Sequence, residues 1–147
     1  MKIEFIANSA QETFDFGVSL GKRLYPNSLI ALHGDLAAGK TTFIKGIAHS
    51  IGGIEPSEIT SPTFTFLNVY EGLKFFYHFD LYRMKGAIEF LQMGFDEYFE
   101  AGGICCVEWA ERIQSMLPEK KIDVYLSYLN PTARKIAIES KYEEISF

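Results

Sequence analysis

Residues Gly34-Asp35-Leu36-Ala37-Ala38-Gly39-Lys40-Thr41 follow the spacing G-x-x-x-x-G-K-[ST]. Each fixed type has a physical reason. Gly34 lets a preceding strand turn sharply, and Gly39 lets the main chain close on an anion. The successive amides of Ala37, Ala38, Gly39, Lys40, Thr41 and Thr42 can then line a concave oxyanion site. A helix that begins there adds its positive end. Lys40 is placed to reach the β- and γ-phosphates of a nucleotide, and the Thr41 hydroxyl to bind Mg²⁺. Without a ligand, the same residues would make a glycine turn capping a helix.

A phosphate loop of this kind uses a carboxylate from a neighbouring strand end to hold the metal. Glu108 follows the apolar run Ile104-Cys105-Cys106-Val107, a Walker-B-like arrangement with Glu in place of Asp. The plain alternative is a solvated glutamate after a strand. Asp80, in Phe79-Asp80-Leu81-Tyr82-Arg83, also ends an apolar run. It could hold metal through water or orient an attacking water; otherwise it caps a helix or pairs with Arg83. Lys40, Asp80 and Glu108 are thus the candidate catalytic side chains, and Thr41, Glu108 and Asp80 the candidate metal ligands. Ser61-Pro62-Thr63 lies in chain order where small GTPases place their first switch loop, but a simple turn would look the same. His78 reads as a strand side chain rather than a base. Trp109 could touch nucleotide or a partner, or pack in the core.

The elements that must position these groups alternate between strands and helices. Met1–Ala7 alternates as a short strand. Ser9-x-x-Glu12 reads as a capping box opening a helix before Pro26. Ser28–His33 is a short buried strand. A helix follows the glycine loop from about Lys40 to Ile51, and Gly52-Gly53 stops it. Residues 55–62 read as a loop. Thr63–Tyr70 and Leu73–Phe79 form an aromatic hairpin around Glu71-Gly72. Lys85–Met93, Asp96–Ala101 and Ala110–Met116 read as short helices, and Ile104–Val107 as a buried strand. Lys121–Leu129 and Arg134–Ser140 flank Asn130-Pro131 as a last hairpin. This order specifies an α/β fold with a mixed sheet, antiparallel hairpins added to a parallel core.

The 147 residues suit one domain with one core, spanning 1–147. A net charge of −5 argues against a surface that grips nucleic acid by itself, because phosphate neutralisation supplies most of that affinity. Any service to RNA would pass through a protein partner. No apolar run nears the roughly 20 residues of a membrane helix. The opening MKIEFIANSA is too polar for a signal peptide. Cys105 and Cys106 are adjacent in an apolar run and read as reduced strand residues, which points to the cytosol.

Taken in order, HGDLAAGKTTF, TSPTF, FYHFDLYR and VEWAER resemble the bacterial TsaE (YjeE) family from about Ser9 to Arg134. That family is the ATPase of tRNA threonylcarbamoyladenosine (t6A) biosynthesis. The resemblance implies a three-layer P-loop NTPase core with a mixed, mainly parallel sheet. It implies weak ATP hydrolysis with Mg²⁺, stimulated in an assembly with the TsaB and TsaD proteins, in which TsaD modifies adenosine 37 of tRNA. The family pattern sets Lys40 and Thr41 at the phosphates and Mg²⁺, Glu108 at Mg²⁺, and Asp80 near metal and water. It sets Arg134 near the nucleotide. One position departs: the family usually reads G-D-L-G-A-G-K-T, and here Ala37 replaces the middle glycine. If that residue needs positive φ, alanine costs about 1 kcal/mol or more.

Two other functions compete. A GTPase would need an N-K-x-D guanine reader, which the sequence lacks. A small-molecule kinase using the same loop would need an acceptor pocket and usually an arginine-rich lid; no such cluster stands out.

Overall fold

The run Leu29–His33 becomes β2, and its first four residues are apolar and buried because the sheet is covered on both faces. A computed structural model describes residues 1–35, 37–143 and 145; Leu36 of the glycine pattern lies outside the described residues. The elements are β1 (Lys2–Ala7), α1 (Ala10–Gly21), β2, α2 (Lys40–Gly52), β3 (Leu67–Glu71), β4 (Phe75–Asp80), α3 (Ala87–Gln92), β5 (Ile104–Glu108), β6 (Ile122–Tyr128) and β7 (Arg134–Ser140). Short 3₁₀ segments occupy Pro56–Glu58, Phe95–Glu100 and Ala110–Met116.

The sheet order is β1-β7-β6-β2-β5-β4-β3. Neighbours among β6, β2, β5 and β4 pair in parallel, and the other three pairings are antiparallel. Five strands therefore point one way, with β3 and β7 opposed. Alternate residues of β2 face opposite layers. Ile30 and Leu32 join Leu20, Phe43, Ile44 and Ile47 beneath α1 and α2. Leu29 and Ala31 join Phe79, Phe90, Phe95 and Ile113 beneath α3 and the 3₁₀ segments. The result is three layers, a mixed sheet with a parallel centre and antiparallel margins between two helical faces.

Local signals account for the helix ends. Ser9 Oγ accepts the Glu12 amide at 3.1 Å, and Glu12 Oε2 accepts the amide of Asn8 at 2.9 Å. That is the capping box, its return bond shifted by one residue. Gly53, with φ of 67°, ends α2 and donates to the His49 carbonyl. Helices α1 and α2 meet backbone to backbone at Gly17 and Gly46. A methyl on Gly17 would strike the Phe43 carbonyl, and one on Gly46 the Phe14 carbonyl.

Three expectations change. The strand expected from Thr63 begins at Leu67. The Phe66 amide bonds the Pro62 carbonyl at 2.7 Å, closing a turn, and Phe66 takes a left-handed φ of 67°. An aromatic run was thus a turn before it became a strand. The helix expected over 85–93 is confined to Ala87–Gln92. Those expected over 96–101 and 110–116 are 3₁₀. The second is two short turns joined at a kink, where Ile113 takes φ of −126°; Ala110 and Ile113 are buried and Met116 packs partly against the core. Cys105 and Cys106 are buried free thiols in β5, as expected.

Candidate functional site

The parallel strands deliver their last residues to one edge of the sheet, where ligands of α/β folds gather. Leu32 of β2 pairs with Glu108 of β5, and Glu108 with Asp80 of β4. The glycine loop leaves this edge after His33 and returns at Lys40, the first residue of α2. Gly39 caps that helix with φ of 95°, which suits glycine. At Gly34 any side chain would lie 2.6 Å from the Leu126 carbonyl. Phe43 makes the first bond of the helix ladder, to the Gly39 carbonyl. Among the described residues, no carbonyl one helical turn earlier accepts from the amides of Thr41 and Thr42, which remain available to an anion.

One cavity of about 400 Å³ is lined by Ala37, Ala38, Gly39, Lys40, Thr41, Thr42, Asp80, Glu108 and Arg134, together with Asp35, Ser61, Thr63 and Trp109. Gly34 does not line it; that residue borders a second cavity of about 460 Å³ beside His33, Trp109 and Tyr125. Lys40 Nζ lies 3.7 Å from Glu108 Oε1 and 5.2 Å from the Trp109 ring centre. Trp109 itself takes a left-handed φ of 60° directly after Glu108 and packs partly against the core. Backbone strain of this kind is typical of functional sites.

Glu108 is only 4% exposed, which removes the solvated-glutamate alternative. Its Oε2 is 2.8 Å from His78 Nε2, and His78 is fully buried. Asp80 accepts the Tyr82 amide on Oδ1 at 3.0 Å and meets the Thr63 hydroxyl at 3.5 Å. Among the described residues Asp80 forms no ion pair with Arg83, whose guanidinium lies 4.3 Å from the Phe64 ring centre. Burial holds the Asp80 carboxyl above its ordinary value, and the nearby Glu108 pushes in the same direction. The Tyr82 amide, His78 and Lys40 oppose the rise without cancelling it.

Arg134 opens β7 beside the loop. Its Nε donates to the Ala37 carbonyl at 3.1 Å, and Nη1 to the Asn130 and Ala133 carbonyls at 2.8 and 2.9 Å. Ala37 has φ of 65°, so the replaced glycine did stand at a left-handed position.

Among the described residues, no three His, Cys, Asp or Glu side chains come close enough to enclose a metal. A cation here could be held by Thr41, Glu108 and Asp80 only if phosphate oxygens and water completed its shell, the manner of Mg²⁺. Sequence reasoning missed two features. His33 Nε2 lies 2.8 Å from Asp123 Oδ1, a pair ninety residues apart that no motif announces. Ala10 and Thr13 line a small cleft of about 60 Å³ with Gly39, Thr42, Thr132 and Arg134, and Thr13 Oγ1 is buried without a hydrogen-bond partner among the described residues.

The sequence model for "Threonylcarbamoyl adenosine biosynthesis protein TsaE" matches residues 7–136. The tRNA threonylcarbamoyladenosine biosynthesis protein TsaE of Treponema pallidum is 42% identical over 133 residues, 90% of this chain and 97% of that one. Its namesake in Bacillus subtilis is 39% identical over 80% of this chain and 75% of that one. The crystal structure of Bacillus subtilis YdiB superposes with a TM-score of 0.76 at 31% identity, over 95% of this chain and 86% of that one.

Two variants probe the site's strain. Ala37→Gly relieves a left-handed alanine costing roughly 1–2 kcal/mol, less the greater freedom of glycine in the unfolded chain. The expected net gain in urea unfolding is about 0.5–1 kcal/mol; a loss would show that Ala37 fits its conformation unstrained. Asp80 has a raised folded-state pKa, so the folded chain holds extra proton between pH 3.8 and that raised value. The stability this proton brings is complete below 3.8 and is lost as pH rises through the folded pKa. Asp80→Asn keeps the acceptor for Tyr82 and removes the charge. Its thermal midpoint should exceed wild type at pH 7, with the gap narrowing toward pH 4. Identical midpoints at both pH values would contradict this.

Proposed function

This chain belongs to the TsaE family, and on that premise we propose that it binds ATP with Mg²⁺ at the Gly34–Thr42 loop and hydrolyses it slowly. The reaction would support the assembly that makes t6A at adenosine 37 of tRNA. The observation that carries the reading is convergence. The Lys40 ammonium, the open amides of α2 and two strand-end carboxylates face a single cavity. The amides and Lys40 suit the phosphates, and the carboxylates with the Thr41 hydroxyl suit a hard cation.

Bound magnesium would supply Lewis-acid polarisation of the γ-phosphate. The chain's residues do the rest. Lys40 leaves Glu108 and Trp109 and neutralises the β- and γ-oxygens. Water attacks the γ-phosphorus, the bond to the β–γ bridging oxygen breaks, and ADP and phosphate result. Asp80 lines the cavity with its carboxyl raised by burial, and it would orient that water and accept its proton. Arg134 braces the loop through the Ala37 carbonyl.

The relatives' names support a role in t6A synthesis. We assign TsaD and TsaB as partners and a cytoplasmic location, with tRNA reached only through the partners because the chain is acidic. Among the described residues no helix is long and apolar enough to cross a membrane.

Lys40→Ala should weaken ATP binding at least 100-fold by calorimetry while the thermal unfolding transition persists. Unchanged affinity would remove the loop from the reading. Glu108→Ala should lower Mg²⁺-dependent turnover more than nucleotide affinity, and equal turnover would take Glu108 out of the metal shell. In a co-elution experiment, TsaD and TsaB should associate with the chain only when adenine nucleotide is present. Phosphorylation of a small metabolite without such association would favour the kinase.

A further inference from the structure

Glu108 is held from the side that faces the protein. His78 lies on β4 opposite Cys106 of β5, two residues before the Asp80–Glu108 pair, so the ring reaches Glu108 diagonally across parallel strands. Its Nε2 is 2.8 Å from Oε2, while the other oxygen, Oε1, faces Lys40 Nζ at 3.7 Å across the cavity. A carboxylate only accepts, so Nε2 carries the proton in this bond. The second ring nitrogen, Nδ1, is buried and has no hydrogen-bond partner among the described residues. Asn68 of β3 stands opposite His78 on its other side, and Phe76 lies 6.4 Å away between ring centres.

The fold by itself does not call for histidine at this position. An apolar side chain would fill the space and leave no buried nitrogen unsatisfied. Among the described residues, the bond to Glu108 is the one side-chain hydrogen bond the imidazole makes.

We propose that His78 is a positioning residue for the metal site. By occupying Oε2 it fixes the Glu108 carboxylate in one rotation and presents Oε1 to the cation. The proposal rests on the reading of the cavity as a magnesium–nucleotide site. It deepens that reading by adding a side chain that touches neither metal nor substrate. Such outer partners typically alter metal affinity by roughly 10–100-fold when removed.

The test is the gain in ADP affinity that Mg²⁺ produces, measured by calorimetry with and without the metal. His78→Leu should bind metal-free ADP within about twofold of wild type and lose about tenfold of the magnesium gain. His78→Gln places an amide donor near the position of Nε2 and should recover most of that gain. A merely structural role would move both ADP affinities together and would show no rescue by glutamine. In a Glu108→Gln background, adding His78→Leu should change the magnesium gain no further. This double variant also removes the unpaired buried carboxylate, so it serves if the single leucine variant fails to fold. A full magnesium gain in His78→Leu, or a further loss in the double variant, would overturn the proposal. If wild type itself shows no magnesium-dependent ADP binding, the cavity reading falls and His78's role falls with it. Normal wild-type binding with an indifferent His78 defeats only the inference.

Discussion

Parallel register is the constraint on which the site depends. Leu32, Glu108 and Asp80 stand in one row across β2, β5 and β4. Side chains along a strand alternate with period two, so a slip of one residue would turn Glu108 to the opposite face and into an apolar layer. The apolar residues on both sides prevent that slip. Cys106 and Ile104 lie among the side chains beneath α1 and α2, and Cys105 and Val107 in the opposite cluster. The core thereby sets the aim of two carboxylates that contribute nothing to it.

The arrangement is stable in spite of its site. Asp80 and Glu108 are neighbouring buried acids, and burial already works against the ionised form of Asp80. Lys40 and His78 supply the compensating contacts, and Trp109 bends backward immediately after Glu108. An incoming cation would relieve the mutual repulsion of the acids and release Lys40. Binding of a cation would therefore relieve a tension built into the site by its own side chains.

Much of this was legible in the residues. The glycine pattern names its own geometry, and unbroken apolar runs such as LIALH and ICCV can only be strands covered twice. Glu108 and Asp80 stood out because an acid directly after such a run must surface at a strand end. Other features were hidden. The turn over 63–66 was masked by its aromatic content, and the backbone bond that closes it leaves no trace in composition. His78 reads as one more strand residue, since its value lies in a neighbour thirty positions away. The His33–Asp123 pair is hidden for the same reason. Pairing across strands is decided by topology, which local pattern does not carry.

The fold holds a single tryptophan, and it is Trp109. Its indole has an ammonium 5.2 Å away, from the very lysine that would have to turn toward an anion. The chain thus carries a native optical gauge at its working edge. Swinging that charge off the ring alters the field on the excited indole, so emission colour follows the lysine's movement with no label attached.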